Sequence, residues 1–198
     1  MRQRDKDAEF VDNTSFGDRM EERVILVDES DNRIGTEEKI KAHSNGGRLH
    51  RAFSVFVFNE KGETLLQRRA EGKYHMPGIW SNTCCSHQRL GETSLGAAHR
   101  RLKEEMGFDC EMREVFTFKY EADVGNGLRE REYDHILFGR FDGRPEPDPE
   151  EVSDWRWIGL EELKREIGRA EGSFTPWLKL MIGEVIKNYK TFRKASSA

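Results

Sequence analysis

Cysteine is scarce in this chain, with three residues in 198. A small, odd number offers no disulfide framework and fits a reducing compartment. Long apolar runs are missing too. No stretch approaches the ~20 residues that cross a bilayer, so no membrane span is expected. The start, Met1 to Asp7, is charged with no apolar stretch behind it, so no secretory signal is expected either. The expected location is the cytoplasm. Nor is there an excess of positive charge. The formal net charge of -4 removes the case for nucleic-acid binding driven by overall charge. Any anion site must come from a local cluster of lysines and arginines. Hydrophobic and charged residues each make up 35% of the chain, which fits a compact core under a heavily solvated surface. The length fits one domain with a sizeable core, with or without extensions.

Residues 1–21 are polar and aperiodic and are expected to form a flexible extension. Residues 22–198 are expected to form one domain. Val24 to Val27, a turn cluster at Asp28 to Asn32, and Arg33-Ile34-Gly35 predict a hairpin. Asn45-Gly46-Gly47 breaks the chain between His43 and His50. Ala52 to Phe58 is apolar on both faces, with Phe53, Val55 and Val57 opposite Phe56 and Phe58, so it belongs in a sheet interior. Asn59 to Gly62 turns it into a return strand, Glu63 to Arg69. A loop with Lys73 follows. A helix is predicted over Ser94 to Met106, capped by Gly107, with a stripe of Leu95, Ala98, Leu102 and Met106. Arg101 and Glu105 flank that stripe, while Arg100 and Glu104 point outward. Cys110 to Tyr120 and Leu128 to Phe141 predict two more strands. Glu130, Glu132 and Asp134 share one face of the second. Arg144 to Pro149 suggests a surface linker, Trp155 to Ile158 a short strand, and Leu160 to Ile167 a short helix. A last helix has Thr175 as N-cap and Pro176 at its first position, with fraying expected after Tyr189. These elements predict an α+β fold, a sheet sandwiched between helices.

One stretch, Met76 to His87, concentrates reactive chemistry. Pro77-Gly78 supplies a turn. Ile79 to His87 contains no glycine or proline and is expected to be extended. Alternation then puts Cys85 and His87 on one face and Cys84 and Ser86 on the other. A buried strand with a core cysteine and a hydrogen-bonded histidine accounts for the same residues. Elsewhere, His43, His50, His87, Glu130 and Glu132 offer nitrogen and oxygen ligands for a divalent metal, although each histidine alone also suits a structural role. Lys39, Arg69, Lys73 and Arg101 offer the fixed cations a diphosphate needs, and Glu105 can hold Mg²⁺ on it. A solvated basic surface is the plainer alternative. Cys85 and Glu132 form a candidate acid and base pair, with the aromatics Tyr120 and Trp177, both of which also fit core packing.

From Ser86 the pattern Ser86-x5-Glu92-x7-Arg100-Arg101-Leu102-Lys103-Glu104-Glu105-Met106-Gly107-Phe108 resembles the Nudix box. It departs from the box at two positions. Ser86 stands for glycine, and Arg101 stands for a metal-binding glutamate, which subtracts a ligand and adds a phosphate binder. Asn82 to His87, Arg48 to Ser54, Arg68-Arg69-Ala70, Pro77 to Trp80, Glu130-Arg131-Glu132 and Phe174 to Trp177 resemble the type I isopentenyl-diphosphate Δ-isomerases, in order, over roughly Arg23 to Lys187.

The resemblance implies a Nudix-like mixed sheet sandwiched between helices, and an isomerase that interconverts isopentenyl and dimethylallyl diphosphate in isoprenoid biosynthesis. It implies Cys85 and Glu132 as the proton-handling residues, with Tyr120 assisting. It implies Lys39, Arg69, Lys73 and Arg101 on the diphosphate and Trp177 facing the hydrocarbon tail. The implied ligands of a protein-bound metal (Mn²⁺, Zn²⁺ or Mg²⁺) are His43, His50, His87, Glu130 and Glu132. Glu105 is implied to hold Mg²⁺ on the substrate. A pyrophosphohydrolase, which Arg101 speaks against, and a non-catalytic diphosphate-binding module are the alternatives. The expected partner is a small allylic or homoallylic diphosphate, with a monomer as the expected state and a weak dimer left open.

Overall fold

A computed structural model describes residues 23–195. The extension expected over residues 1–21 lies outside the described residues. Among the described residues, nine strands form one mixed sheet, and β3 (His50–Phe58) is its branching strand. The predicted first hairpin is β1 (Arg23–Val27) and β2 (Arg33–Glu38), paired antiparallel. A short helix, α1 (Lys39–His43), follows and delivers His43 from its last turn. β1 meets β3 at Leu26 and His50. The other side of β3 runs parallel to β8 (Leu128–Arg140), which carries β7 (Met112–Gly125) antiparallel on its outer side.

The predicted hairpin of β3 with β4 (Glu63–Arg69) forms, but it splays after one pair, Phe58 with Thr64. The cause lies in the stretch expected to be continuous from Ile79. It forms two short strands, β5 (Trp80–Ser81) on β4 and β6 (Cys84–Ser86) on β3. Between them, Asn82 and Thr83 wedge the parent strands apart and supply the missing ladder bonds. Thr83 Oγ1 donates to Leu65 O at 2.7 Å and accepts from Val57 N at 2.9 Å. Asn82 Nδ2 donates to Val55 O at 3.2 Å. Buried backbone groups must find partners somewhere. Here two side chains serve, and β4 turns away to pair with β9 (Val152–Gly159).

The two-faced β3 separates two apolar layers. Phe53, Val55 and Val57 pack with Ala97, Ala98, Leu102 and Met106 of α2 (Ser94–Met106). Phe56 and Phe58 pack with Leu163 and Ile167 of α3 (Leu160–Arg169) and with Leu178, Met181 and Val185 of α4 (Pro176–Ala195). α2 keeps its predicted bounds. Thr93 Oγ1 accepts from Gly96 N at 3.0 Å. Gly107 ends the helix at φ 74°, where a Cβ would collide with the Glu146 carbonyl. The stripe differs in one position: Leu95 is exposed and Ala97 is buried. The supposed surface linker is pinned to this helix end, since Glu146 N donates to Met106 O and Asp148 N to Glu105 O, both at 3.1 Å. The last helix continues past Tyr189 because Phe192 is buried against Phe58 and Phe138.

Candidate active site

Strand register assembles the centre. β3 and β8 pair His50 with Glu132, and β7 and β8 pair Tyr120 with Glu132. On β8, Glu130, Glu132 and Asp134 alternate inward as predicted and are buried. His43 enters from the end of α1, and His87 from just beyond β6. His43, His50, His87, Glu130 and Glu132 are all buried, with one ligand atom each inside a 4.8 Å group. His43 Nε2 lies 2.9 Å from Glu130 Oε2. His50 Nε2 and His87 Nε2 are 3.1 Å apart, and His87 Nε2 is 3.0 Å from Glu132 Oε1.

These residues fit a divalent metal. His43 Nδ1 donates to Lys39 O at 2.6 Å and His50 Nδ1 to Arg48 O at 2.7 Å. That fixes their tautomers and leaves both Nε2 lone pairs facing inward. Lone pair then meets carboxylate, and imidazole meets imidazole, at contact distance, an arrangement that a shared cation relieves. Ligands bonded at ~2.1 Å and at right angles stand about 3 Å apart, as the three closest pairs here do. Asp134, on the same strand face, instead accepts from Ser54 Oγ at 2.8 Å.

A cavity of about 980 Å³ opens over this group and is lined by Cys85, Glu132, Tyr120 and Trp177 together with Lys39, Arg69, Lys73, Arg101 and Glu105. It thus brings together the two proton-handling candidates and the whole predicted clamp. Cys84 points the other way, into the α2 layer. The expected alternation ends at β6, so Ser86 lines the cavity as well. Burial pushes the Cys85 thiol up to about 12. Burial also acts to raise Glu132, but its surroundings, a hydrogen bond from Tyr120 among them, hold it below the usual carboxylate range. Tyr120, kept protonated by burial and by the Glu132 charge, donates to Glu132 Oε2 at 2.6 Å. The Trp177 ring is fixed by its Nε1, which donates to Ser81 Oγ at 3.0 Å and Asn82 Oδ1 at 3.1 Å.

The clamp side holds residues the sequence reasoning passed over. Glu151, at the start of β9, pairs with Lys73 and lies 3.3 Å from Arg101. Arg101 donates to Glu105 Oε1 at 2.6 Å, and Gln67 to Glu105 Oε2 at 2.8 Å. Arg100 instead grips Glu92 at 2.7 and 2.8 Å. His75, predicted only as a loop residue, is buried in the cavity wall. Its one sequence signal was its place between Lys73 and the Pro77-Gly78 turn.

A family model described as the NUDIX domain matches residues 48–178. Isopentenyl-diphosphate Delta-isomerase 2 of Aromatoleum aromaticum is 50% identical over 167 residues, 84% of this chain and 88% of that protein. The isopentenyl-diphosphate Delta-isomerase of Burkholderia multivorans is 52% identical over 163 residues, 82% of this chain and 92% of that protein. Among solved structures, DR0079 of Deinococcus radiodurans superposes with a TM-score of 0.70 at 22% identity, covering 82% of this chain and 98% of that one. A MutT protein of Methanosarcina mazei reaches 0.58 at 17% identity, covering 74% and 96%. These two likenesses support the α+β Nudix fold. With relatives at this identity over most of its length, the chain belongs to the isopentenyl-diphosphate Delta-isomerase family, built on the Nudix domain.

Proposed function

We propose that this enzyme interconverts isopentenyl diphosphate and dimethylallyl diphosphate, and that Cys85 and Glu132 move the protons. The observation that carries the reading is that these two groups line one cavity, where burial raises the thiol and a bond from Tyr120 favours the ionised carboxyl. Moving a double bond along an unactivated alkene adds a proton at one carbon and removes one from another. One group donates, the other accepts, and the reverse reaction exchanges the roles. The intermediate is a tertiary carbocation. The face of Trp177 supports it, worth ~2 kcal/mol when desolvated. Tyr120 holds Glu132 Oε2 in position for its proton. Lys39, Arg69, Lys73 and Arg101 grip the diphosphate, so binding energy far from the reacting carbons orients them.

His43, His50, His87, Glu130 and Glu132 would hold a divalent ion, Mn²⁺, Zn²⁺ or Mg²⁺, which fixes the Glu132 carboxyl and tunes its proton affinity. Glu105 would hold Mg²⁺ on the substrate diphosphate. We take residues 22–198 as one isomerase domain, acting as a monomer in the cytoplasm, where its free thiols stay reduced. Incubation with isopentenyl diphosphate and Mg²⁺ in D₂O should yield deuterated dimethylallyl diphosphate. Cys85→Ala should abolish that turnover yet still bind the diphosphate. Released phosphate in place of isomer would reverse the functional reading. A near-wild-type rate in the variant would remove Cys85 from the mechanism.

A further inference from the structure

His75 lies outside the five-residue ligand group, yet it touches three parts of the site. Its Nε2 stands 3.2 Å from Glu130 Oε1, while His43 approaches the other oxygen, Oε2, at 2.9 Å. Its backbone carbonyl accepts from Arg69 Nε at 3.3 Å and Arg69 NH2 at 3.1 Å. Its ring centroid lies 5.9 Å from Trp177. The next residue, Met76, has φ 50°, a left-handed conformation that costs an L side chain energy. Such conformations persist where the surroundings over-determine them, and they gather at working sites. Here Arg69 Nε also donates to Met76 O at 3.1 Å, and Gly78 N donates to Arg69 O at 3.0 Å. The strained turn aims the imidazole inward.

We propose that His75 is a positioning residue of the metal centre: its Nε2–H holds Glu130 Oε1 so that Oε2 faces the ion. This rests on reading the His/Glu group as a metal site. Nδ1 is buried and has no hydrogen-bond partner among the described residues, whereas Nε2 faces a carboxylate. The proton therefore belongs on Nε2. A carboxylate ligand bound through one oxygen can swing, and a donor on its second oxygen stops it. Loss of such an outer partner costs about 10- to 100-fold in metal affinity. A sixth-ligand role is disfavoured, because Nε2 addresses the Glu130 oxygen turned away from His43.

The test strips the full-length protein of metal and measures Zn²⁺ affinity by competition with a chromophoric chelator. His75→Ala should bind Zn²⁺ about 10- to 100-fold more weakly than wild type. His75→Gln, which keeps an N–H donor at similar reach, should recover most of that loss. The thermal midpoints of the metal-free proteins should agree. Equal Zn²⁺ affinity in wild type and His75→Ala would overturn the proposal while leaving the metal site standing. A His75→Gln variant as weak as His75→Ala would also overturn it, since the donor would then not be what matters. Wild type without Zn²⁺ affinity would overturn the metal reading and this inference together.

Discussion

Lys73 shows how one side chain can set the working pH. Burial draws its ammonium down to about 8, with Arg69, Arg101 and Lys39 pushing the same way and Glu105 opposing them. Glu151 is its contact partner. The charged form, which would grip a diphosphate, therefore prevails below about pH 8 and is lost as pH rises through it. The expected outcome is a fall in kcat/KM above about pH 8, with kcat at saturation less affected because bound diphosphate holds the proton on. Lys73→Arg, which keeps its charge throughout, should lose that inflection in a pH–rate profile. Lys73, which lines the cavity, was named from the sequence as a clamp candidate. Glu151 was not, because a glutamate that balances cations from another part of the chain leaves no local spacing behind.

At the scale of elements, α4 offers a sharp test. Phe192 is buried in its last turns, with the Arg113 guanidinium 4.8 Å and that of Arg140 5.4 Å from its ring centre. Phe192→Ala should cost about 3 kcal/mol. At roughly 2–4 °C per kcal/mol for a chain of this size, calorimetry should find a midpoint lower by roughly 6–12 °C. The sequence reading missed this turn because its lysines and arginine look like a frayed end, and only the fold shows which sheet Phe192 meets. α2, by contrast, was readable to the residue. Its stop signal, Gly107, is local chemistry, whereas the Thr93 cap at its start was not singled out. β3 was readable for the same reason, as both of its faces are apolar. The splayed β3–β4 hairpin was not readable. Asn82 and Thr83 look like ordinary polar residues until their side chains are seen bonding to strands far away in sequence.

For the molecule as a whole, the buried His/Glu group ties α1, β3, β8 and the end of β6 to one point. Ligands that bind only the folded state stabilise it by mass action. Removing metal with a chelator should therefore lower the thermal midpoint, and adding Zn²⁺ or Mn²⁺ back should restore it, as differential scanning calorimetry can follow. The ligand types could be named from the sequence, but their convergence depends on long-range pairing that no spacing motif encodes.

The pairing of His50 with Glu132 across parallel strands carries a further meaning. Slipping one strand by a single residue would turn every carboxylate on it to the opposite face. Ion uptake at the proposed site would thus work as a checksum on folding. Only a molecule that has threaded its strands correctly would take up the ion, so the metal content of a preparation would count its properly assembled copies.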